Sequence, residues 1–463
     1  MPQGSSRTSP GASAFRPGAE DVRILLRLAL PVVVVQVGMM LMGVVDTVMV
    51  GHVSPRDLAA VALGNLHFFA GTLFSLGVLF ALDPLVSQAV GAGDRVAVTR
   101  NIQRGLVLAL ILSSLTILAL LPARWLFTVL RQPAEVVPVA AGYVRVSIPG
   151  VVPFLVFVVF RQTLQAMGHV RPIVVTVVAA NLANAGLNWA LIYGNLGMPP
   201  MGAVGSGWAS TLSRWLMAIA LLVAAWPVLG EHVRSLRPEV LRRAPLERML
   251  RLGLPVGVQF ALEYGAFAAI AVLMGWLGTV AMAGHQIAIN LASLTFMVPL
   301  GVSQATAVLV GQAVGAEDPP EARRRAGAGL AVGGGFMALT ALAFLTGPGL
   351  LARVYSTDPA VVGLAVTLIP IAGVFQVFDG LQVVASAVLR GVGDTRAPMV
   401  INVLGFWLLG MPVSLLLGFR MGAGPVGLWW GLVAGLGVVA AALLARIRQR
   451  LGRELRRLVL EEG

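Results

Sequence analysis

QAVGAGD at residues 88–94 returns as QAVGAED at residues 312–318. The same offset of 224 carries LRLALP at 26–31 onto LRLGLP at 250–255. Two looser echoes follow. MGHVRP at 167–172 is answered by VGDTRAP at 392–398, and GAVG at 202–205 by GPVG at 424–427, each with a nearby tryptophan (Trp208, Trp430). Four matches in the same order describe a duplicated chain.

Around these motifs the sequence is apolar. Hydrophobic residues make up 57% and charged residues only 11%, against about 25% charged in a soluble domain. So few charges cannot cover a water-facing surface. The apolar material falls into about twelve runs of roughly 20 residues, each long enough to cross a bilayer core of about 30 Å. They begin near Ile24, Leu58, Ile102, Val136, Ile173 and Ala203, and again near Leu250, Ala281, Gly327, Val361, Met399 and Pro425. The runs are continuous rather than alternating, which selects helices over a β-barrel. The fold class is therefore an all-α integral membrane protein of about twelve helices. Six spans is an even number, so both repeats enter the membrane in the same sense, as parallel repeats. The division reads as a polar tail (1–22), a first six-helix lobe (23–229), an Arg-rich linker (230–248), a second lobe (249–446) and a basic tail (447–463). The polar tail reads as a disordered stretch with no apolar core before Ile24, not as a signal peptide.

The formal net charge is +13, and every basic residue other than histidine is Arg. These arginines gather in alternate loops: Arg95, Arg100 and Arg104; Arg161 and Arg171; Arg234 to Arg251; Arg323, Arg324 and Arg325; Arg390 and Arg396. Both tails are basic too. The intervening loops hold only Arg56, Arg124, Arg131, Arg353 and Arg420. That is the positive-inside pattern and not a nucleic-acid surface. It places both termini in the cytoplasm. There is no cysteine, which removes disulfides, thiolate nucleophiles and Cys-metal sites. No GxxxxGK[ST] motif speaks for a nucleotide and no HExxH for a metalloprotease.

Three carboxylates stand out against this background. Asp46 lies in MMLMGVVDTVMVGH (39–52), Glu263 in VGVQFALEYGAFAAIAVL (256–273) and Asp379 in FQVFDGLQVVASAVLRG (375–391). An acid at the centre of a membrane helix costs about 2.5–3.5 kcal/mol on insertion scales. Such a group is kept where it binds a cation, carries a proton or pairs with a base. The bases within spans are Arg145, Arg214 and His285. The repeat sets Glu263 opposite Met39, Asp379 opposite about Phe154, and Asp46 opposite Ile270. None has an acidic twin, which fits a function that differs between the halves.

Polar neighbours suggest supporting networks. Asn184 and Asn188 form an i, i+4 pair on span five, with Asn181 a turn earlier, and would cluster with Asp46. Gln376 and Gln382 flank Asp379 at three residues on either side, which reads as one polar helix face able to line a water-filled cavity. His285, Gln286 and Asn290 make a polar run on span eight. The alternative reading of the Asp46 cluster is a structural network, and His285 reads as a hydrogen-bonding packing side chain. Asp83, just before Pro84, reads as cavity-lining or as a local break.

VVDTVMVGH (44–52), DPLVSQAVGAGD (83–94), the Glu263 context, HQIAINLASLTFMVPLGVSQATAVLVGQAVGA (285–316) and FQVFDGLQVVASAVLRGVGDTR (375–396) together resemble the multidrug and toxic compound extrusion (MATE) family, over about Leu26 to Arg446. Having both Glu263 and Asp379 is similar to its NorM-like branch. The resemblance implies a V-shaped pair of six-helix lobes. It implies a cation site at Glu263 and Asp379 that takes Na⁺ or H⁺, and a second site at Asp46 with Asn184 and Asn188. It implies export of cationic or amphiphilic drugs from a bacterial inner membrane in exchange for that ion. No cofactor, nucleotide or nucleic-acid partner is called for, and the expected state is a monomer. A lipid-linked precursor flippase is the rival, but its cavity would favour Arg over acids. An intramembrane enzyme is a third reading that nothing in the spacing supports.

Overall fold

A computed structural model describes residues 12–235 and 237–460; the ends of both tails, residues 1–11 and 461–463, lie outside it. Among the described residues the chain is helical, with twelve helices long and apolar enough to cross a membrane. They are α1 (Ala19–Gly51), α2 (Pro55–Gly91), α3 (Arg95–Leu120), α4 (Val137–Ala166), α5 (Arg171–Tyr193) and α6 (Gly202–Ala224) in the first repeat. The second repeat holds α7 (Arg243–Trp276), α8 (Thr279–Gly315), α9 (Pro319–Thr346), α10 (Pro359–Gly391), α11 (Arg396–Arg420) and α12 (Gly424–Leu451).

Several helices begin well before the apolar pattern does. Helix α3 starts at Arg95 and α9 at Pro319 because an aspartate caps each. Asp94 Oδ1 accepts from the Ala97 amide at 2.9 Å, and Asp318 Oδ1 from the Glu321 amide at 2.8 Å. These are the last residues of the two QAVGA(G/E)D motifs, so the repeated motif is a helix stop followed by a helix start. The residue before each cap has positive φ. It is glycine in the first repeat (Gly93, φ 69°) but glutamate in the second (Glu317, φ 57°). A side chain in that region costs about 1–2 kcal/mol.

Prolines mark some breaks and not others. Helix α4 passes through a short 3₁₀ turn at Ile148–Gly150, beside Pro149 and Pro153. Helix α11 carries π-helical stretches on both sides of Pro412, at Val403–Gly410 and Leu416–Arg420. The lost N–H of proline is absorbed there by wider turns. Helices α1, α7, α8 and α10 run unbroken through Pro31, Pro255, Pro299 and Pro370. Helix α2 breaks at Phe80–Ala81, so Asp83 sits in the first turn of its second segment, Leu82–Gly91. An acid there faces the positive end of a helix dipole.

Small residues let helices meet closely. On α12, Gly427, Gly431 and Gly435 lie four apart on one face. A Cβ on Gly431 would run into Ser414, and one on Gly435 would meet Gly405 and Gly410. This is the close backbone approach that small-residue stripes permit in membranes.

Contacts sort the described residues into two units. One consists of residues 12–33, 91–93 and 258–458; the other of 34–90, 94–235, 237–257 and 459–460. Each repeat's first helix is divided just past its motif proline, at Val33 and Gly257. The opening turns of α1 thus belong to the unit built mostly from the second repeat, and those of α7 to the unit built mostly from the first. Residues 12–18, read from sequence as part of a disordered tail, include a helical turn at Ala12–Phe15. Phe15 packs on the second-repeat core, and Asp21 reaches Arg324 and Arg325 at 3.7 and 3.6 Å.

The Arg-rich linker is held by α3. Gln103 donates from its amide to the carbonyls of His232 (2.7 Å) and Ser235 (2.8 Å) and accepts from the Arg237 amide at 3.1 Å. His232 is buried against Thr99 at 2.7 Å.

Candidate functional site

Two polar clusters are built around the membrane acids, one in each unit. The first centres on Asp46, which is 2% exposed. Asn188 Nδ2 donates to Oδ1 at 2.6 Å and Ser210 Oγ to Oδ2 at 2.5 Å. Asn188 Nδ2 is shared with Asn184 Oδ1 at 3.1 Å. Helices α1, α5 and α6 supply these groups. The α5 spacing of four brings both asparagines to one face. Asn181, a turn earlier, bonds instead to its own helix at the Val177 carbonyl, 2.8 Å. Each Asp46 oxygen therefore has a donor.

Arg214 lies within electrostatic reach of Asp46, but its guanidinium stacks on the Phe68 ring at 3.8 Å. Tyr143 is fully buried between Gly64 and Gly207 and donates to Asn65 Oδ1 at 2.7 Å. Ser210, Tyr143 and Asn65 were not singled out from the sequence. Short hydroxyl side chains and a lone amide are common in membrane helices, and nothing in their spacing points to Asp46.

The second cluster joins α7, α10 and α11. Glu263 is half-buried on α7, with Gln382 and Gln259 as its polar neighbours. Asp379 on α10 is 8% exposed and interacts electrostatically with Glu263. The two carboxylates that the sequence separates by 116 positions are thus neighbours. Asp379 Oδ1 has no hydrogen-bond donor, and neither does the carbonyl oxygen of Gln382. The Gln382 amide donates to Asn402 at 3.0 Å, and Asn402 to the Pro398 carbonyl at 2.8 Å.

Gln376 is satisfied away from Asp379: Thr295 donates to it at 2.7 Å, and it donates to Thr340 at 2.9 Å. Three residues advance a helix by 300°, so Gln376 and Gln382 diverge by about 120° around α10. Gln286 and Asn290 are exposed and bond to each other at 3.3 Å. His285 is buried against Trp429, ring centroids 5.7 Å apart, and Trp429 packs edge-on against Phe375. Arg145 is exposed.

Among the described residues no basic side chain forms an ion pair with Asp46, Glu263 or Asp379. Among the described residues the simplest structural explanation for a membrane acid, a directly paired base, is missing at Glu263 and Asp379, and Asp46 has only Arg214, acting from beyond ion-pair distance. Around Glu263 and Asp379 the surplus atoms are oxygen acceptors. An unpaired buried charge is costly, and oxygen acceptors of this kind suit a proton or a hard cation. Among the described residues no third acid, histidine or cysteine joins the pair as a potential metal ligand.

The comparisons with known proteins agree with this architecture. The MatE family model matches residues 31–190 and 255–416, one copy on each repeat. The chain is 37% identical over 458 residues to the multidrug resistance protein PmpM of Pseudomonas aeruginosa, covering 96% of this chain and 95% of that one. It is 36% identical to the probable multidrug resistance protein NorM of Mesorhizobium japonicum, covering 93% and 94%. Among solved structures, the eukaryotic MATE transporter AtDTX14 superposes with a TM-score of 0.85 at 21% identity, over 94% of this chain and 98% of that one. An outward-facing MATE family transporter of the MOP superfamily gives 0.84 at 20%, over 99% and 100%. The duplicated, twelve-helix chain is a multi-pass membrane transport protein of the MatE family, of the NorM-like kind.

Proposed function

We propose that this protein is a secondary active multidrug efflux antiporter that exports cationic or amphiphilic compounds in exchange for Na⁺ or H⁺. The observation that carries the reading is the Glu263–Asp379 pair, two adjacent carboxylates with no basic partner and with bare acceptors on Asp379 and Gln382. The pair needs positive charge, and a proton, a sodium ion or an organic cation each supplies it. An ion that enters and occupies the pair weakens its hold on a cationic substrate, which then leaves outward. Such competition couples the two fluxes. The membrane potential adds about 2.3 kcal/mol per charge per 100 mV. Asp46 with Asn184, Asn188 and Ser210 forms a second polar site, in which the carboxylate already has donors on both oxygens. The arginine bias supports cytoplasmic termini. The bacterial origin of PmpM and NorM, and their naming as multidrug resistance proteins, support drug export from a bacterial inner membrane.

The test is efflux of a fluorescent organic cation from reconstituted vesicles under an imposed Na⁺ gradient and, separately, a pH gradient. Glu263→Gln and Asp379→Asn should each sharply reduce the gradient-driven component. Undiminished transport in both variants would sink the proposal, and the gradient that drives wild-type efflux identifies the coupling ion.

A further inference from the structure

Arg145 is a base inside a membrane span that neither carboxylate cluster uses. It stands eight residues after Val137, the first residue of α4, so about 12 Å along the helix. It is exposed. An arginine within a span needs a partner or a way out to the headgroups. Among the described residues its guanidinium has no ion pair and no hydrogen bond, and the same holds for the guanidinium of Arg124. The two arginines line one pocket of about 390 Å³, between the end of α3, the short helix Ala123–Val129 and the first half of α4. No acidic residue lines it. Glu135, the acid nearest to either arginine in sequence, is exposed and forms no ion pair. Both bases lie on the side where the arginine bias leaves few of them, so topology does not account for the pair.

The rest of the wall is largely apolar, with Leu120, Leu121, Val144 and Ile148. An aliphatic track leads away from it. Ile111, Leu115 and Leu118 are exposed on α3, and their spacing of four and three puts them on one helix face. Leu121, also exposed, stands at the pocket end of that track. Trp125, next to Arg124, is 65% exposed, as aromatic residues at headgroup level are. Two unpartnered guanidinium groups thus sit at the end of a membrane helix, above a strip of aliphatic side chains. Planar guanidinium forks suit phosphate oxygens.

We propose that the Arg124–Arg145 pocket binds a phosphate anion, and that its source is the headgroup of an anionic phospholipid whose acyl chain follows Leu118, Leu115 and Ile111. A headgroup held there ties the end of α3 to the start of α4. The site is separate from the carboxylate clusters and does not depend on which ion drives transport.

The full chain, purified and delipidated in a neutral detergent, is titrated with phosphatidylglycerol, phosphatidylcholine or inorganic phosphate, and bound lipid is counted by native mass spectrometry. One phosphatidylglycerol per chain should bind saturably and more tightly than phosphatidylcholine. Each of Arg124→Gln and Arg145→Gln should weaken it about fivefold, as expected for about 1 kcal/mol per arginine. Both side chains are exposed, so their loss tests the charge without emptying the interior. Arg353→Gln, at an exposed position outside this pocket, should leave binding unchanged. An equal loss in Arg353→Gln would reduce the effect to a general attraction by a basic chain and overturn the site, as would phosphatidylglycerol affinity that survives the double variant. Inorganic phosphate binding as tightly as the lipid would overturn the lipid source and leave a soluble phosphate as the ligand.

Discussion

Replacing Asp46 and Asp379 by asparagine should have different consequences for stability. Asp46 accepts from Asn188 at 2.6 Å and from Ser210 at 2.5 Å. Asparagine in its place keeps one acceptor, turns an N–H toward one of the two donors, and removes the charge from both bonds. A hydrogen bond to a charged group contributes about 1.5–3 kcal/mol against about 0.5–1.5 for a neutral one. Measured values within membranes run nearer about 0.6 kcal/mol per bond. Over two bonds, Asp46→Asn should therefore lose about 1–3 kcal/mol. Asp379→Asn removes a negative charge from beside Glu263 and takes no donor away from Oδ1, which has none. Its stability should be unchanged or slightly higher. Unfolding in mixed micelles, followed by the fluorescence of the nine tryptophans, measures both. Equal losses in the two variants would refute the distinction between a satisfied and an unsatisfied carboxylate.

Four further outcomes follow from particular contacts. In gradient-driven efflux, Glu263→Gln and Asp379→Asn should be non-additive, the double variant being no worse than either single one, since the pair acts as a unit. Glu317→Gly should raise stability by up to about 1 kcal/mol, the relief of positive φ outweighing the extra freedom of the unfolded chain; a lower unfolding midpoint would contradict the strain. Gly431→Ala should cost about 1–3 kcal/mol or more in the same assay, because the new methyl group meets Ser414 and the neighbouring glycines keep α12 from backing away. In the linker, burial holds the His232 imidazole below its usual 6.5, with Arg95 adding to the effect and Glu231 opposing it. A base depressed in the fold contributes stability in full above the unfolded value and loses it as pH falls below about 6.5. Hydrogen exchange over residues 226–235, corrected for intrinsic rate, should thus accelerate between pH 7.5 and 5.5, and His232→Gln should remove the dependence.

The membrane fold was readable because its signal is local. An apolar run of helical length identifies itself, and the duplicated motifs count the spans twice. Boundaries were less readable where a cap precedes the apolar pattern. Asp94 and Asp318 start α3 and α9 inside charged sequence, so hydropathy placed both starts too late. A proline does not by itself mark a break: Pro31, Pro255, Pro299 and Pro370 sit in unbroken helices, because packing decides whether a lost N–H opens the turn.

By itself the sequence determined the twelve helices, the two parallel repeats and the three membrane acids without acidic twins. Their counterparts in the other half stay apolar: Met39, Phe154 and the buried core residue Ile270. What each acid does with its oxygens was decided by tertiary structure alone. Asp46 takes its donors from 142 and 164 residues away, and Glu263 meets Asp379 from a different helix. Periodicity reports which face of one helix is apolar. It carries no information about which two helices turn their polar faces toward each other. That pairing leaves Asp46 satisfied and Asp379 bare, and with it separates the two clusters.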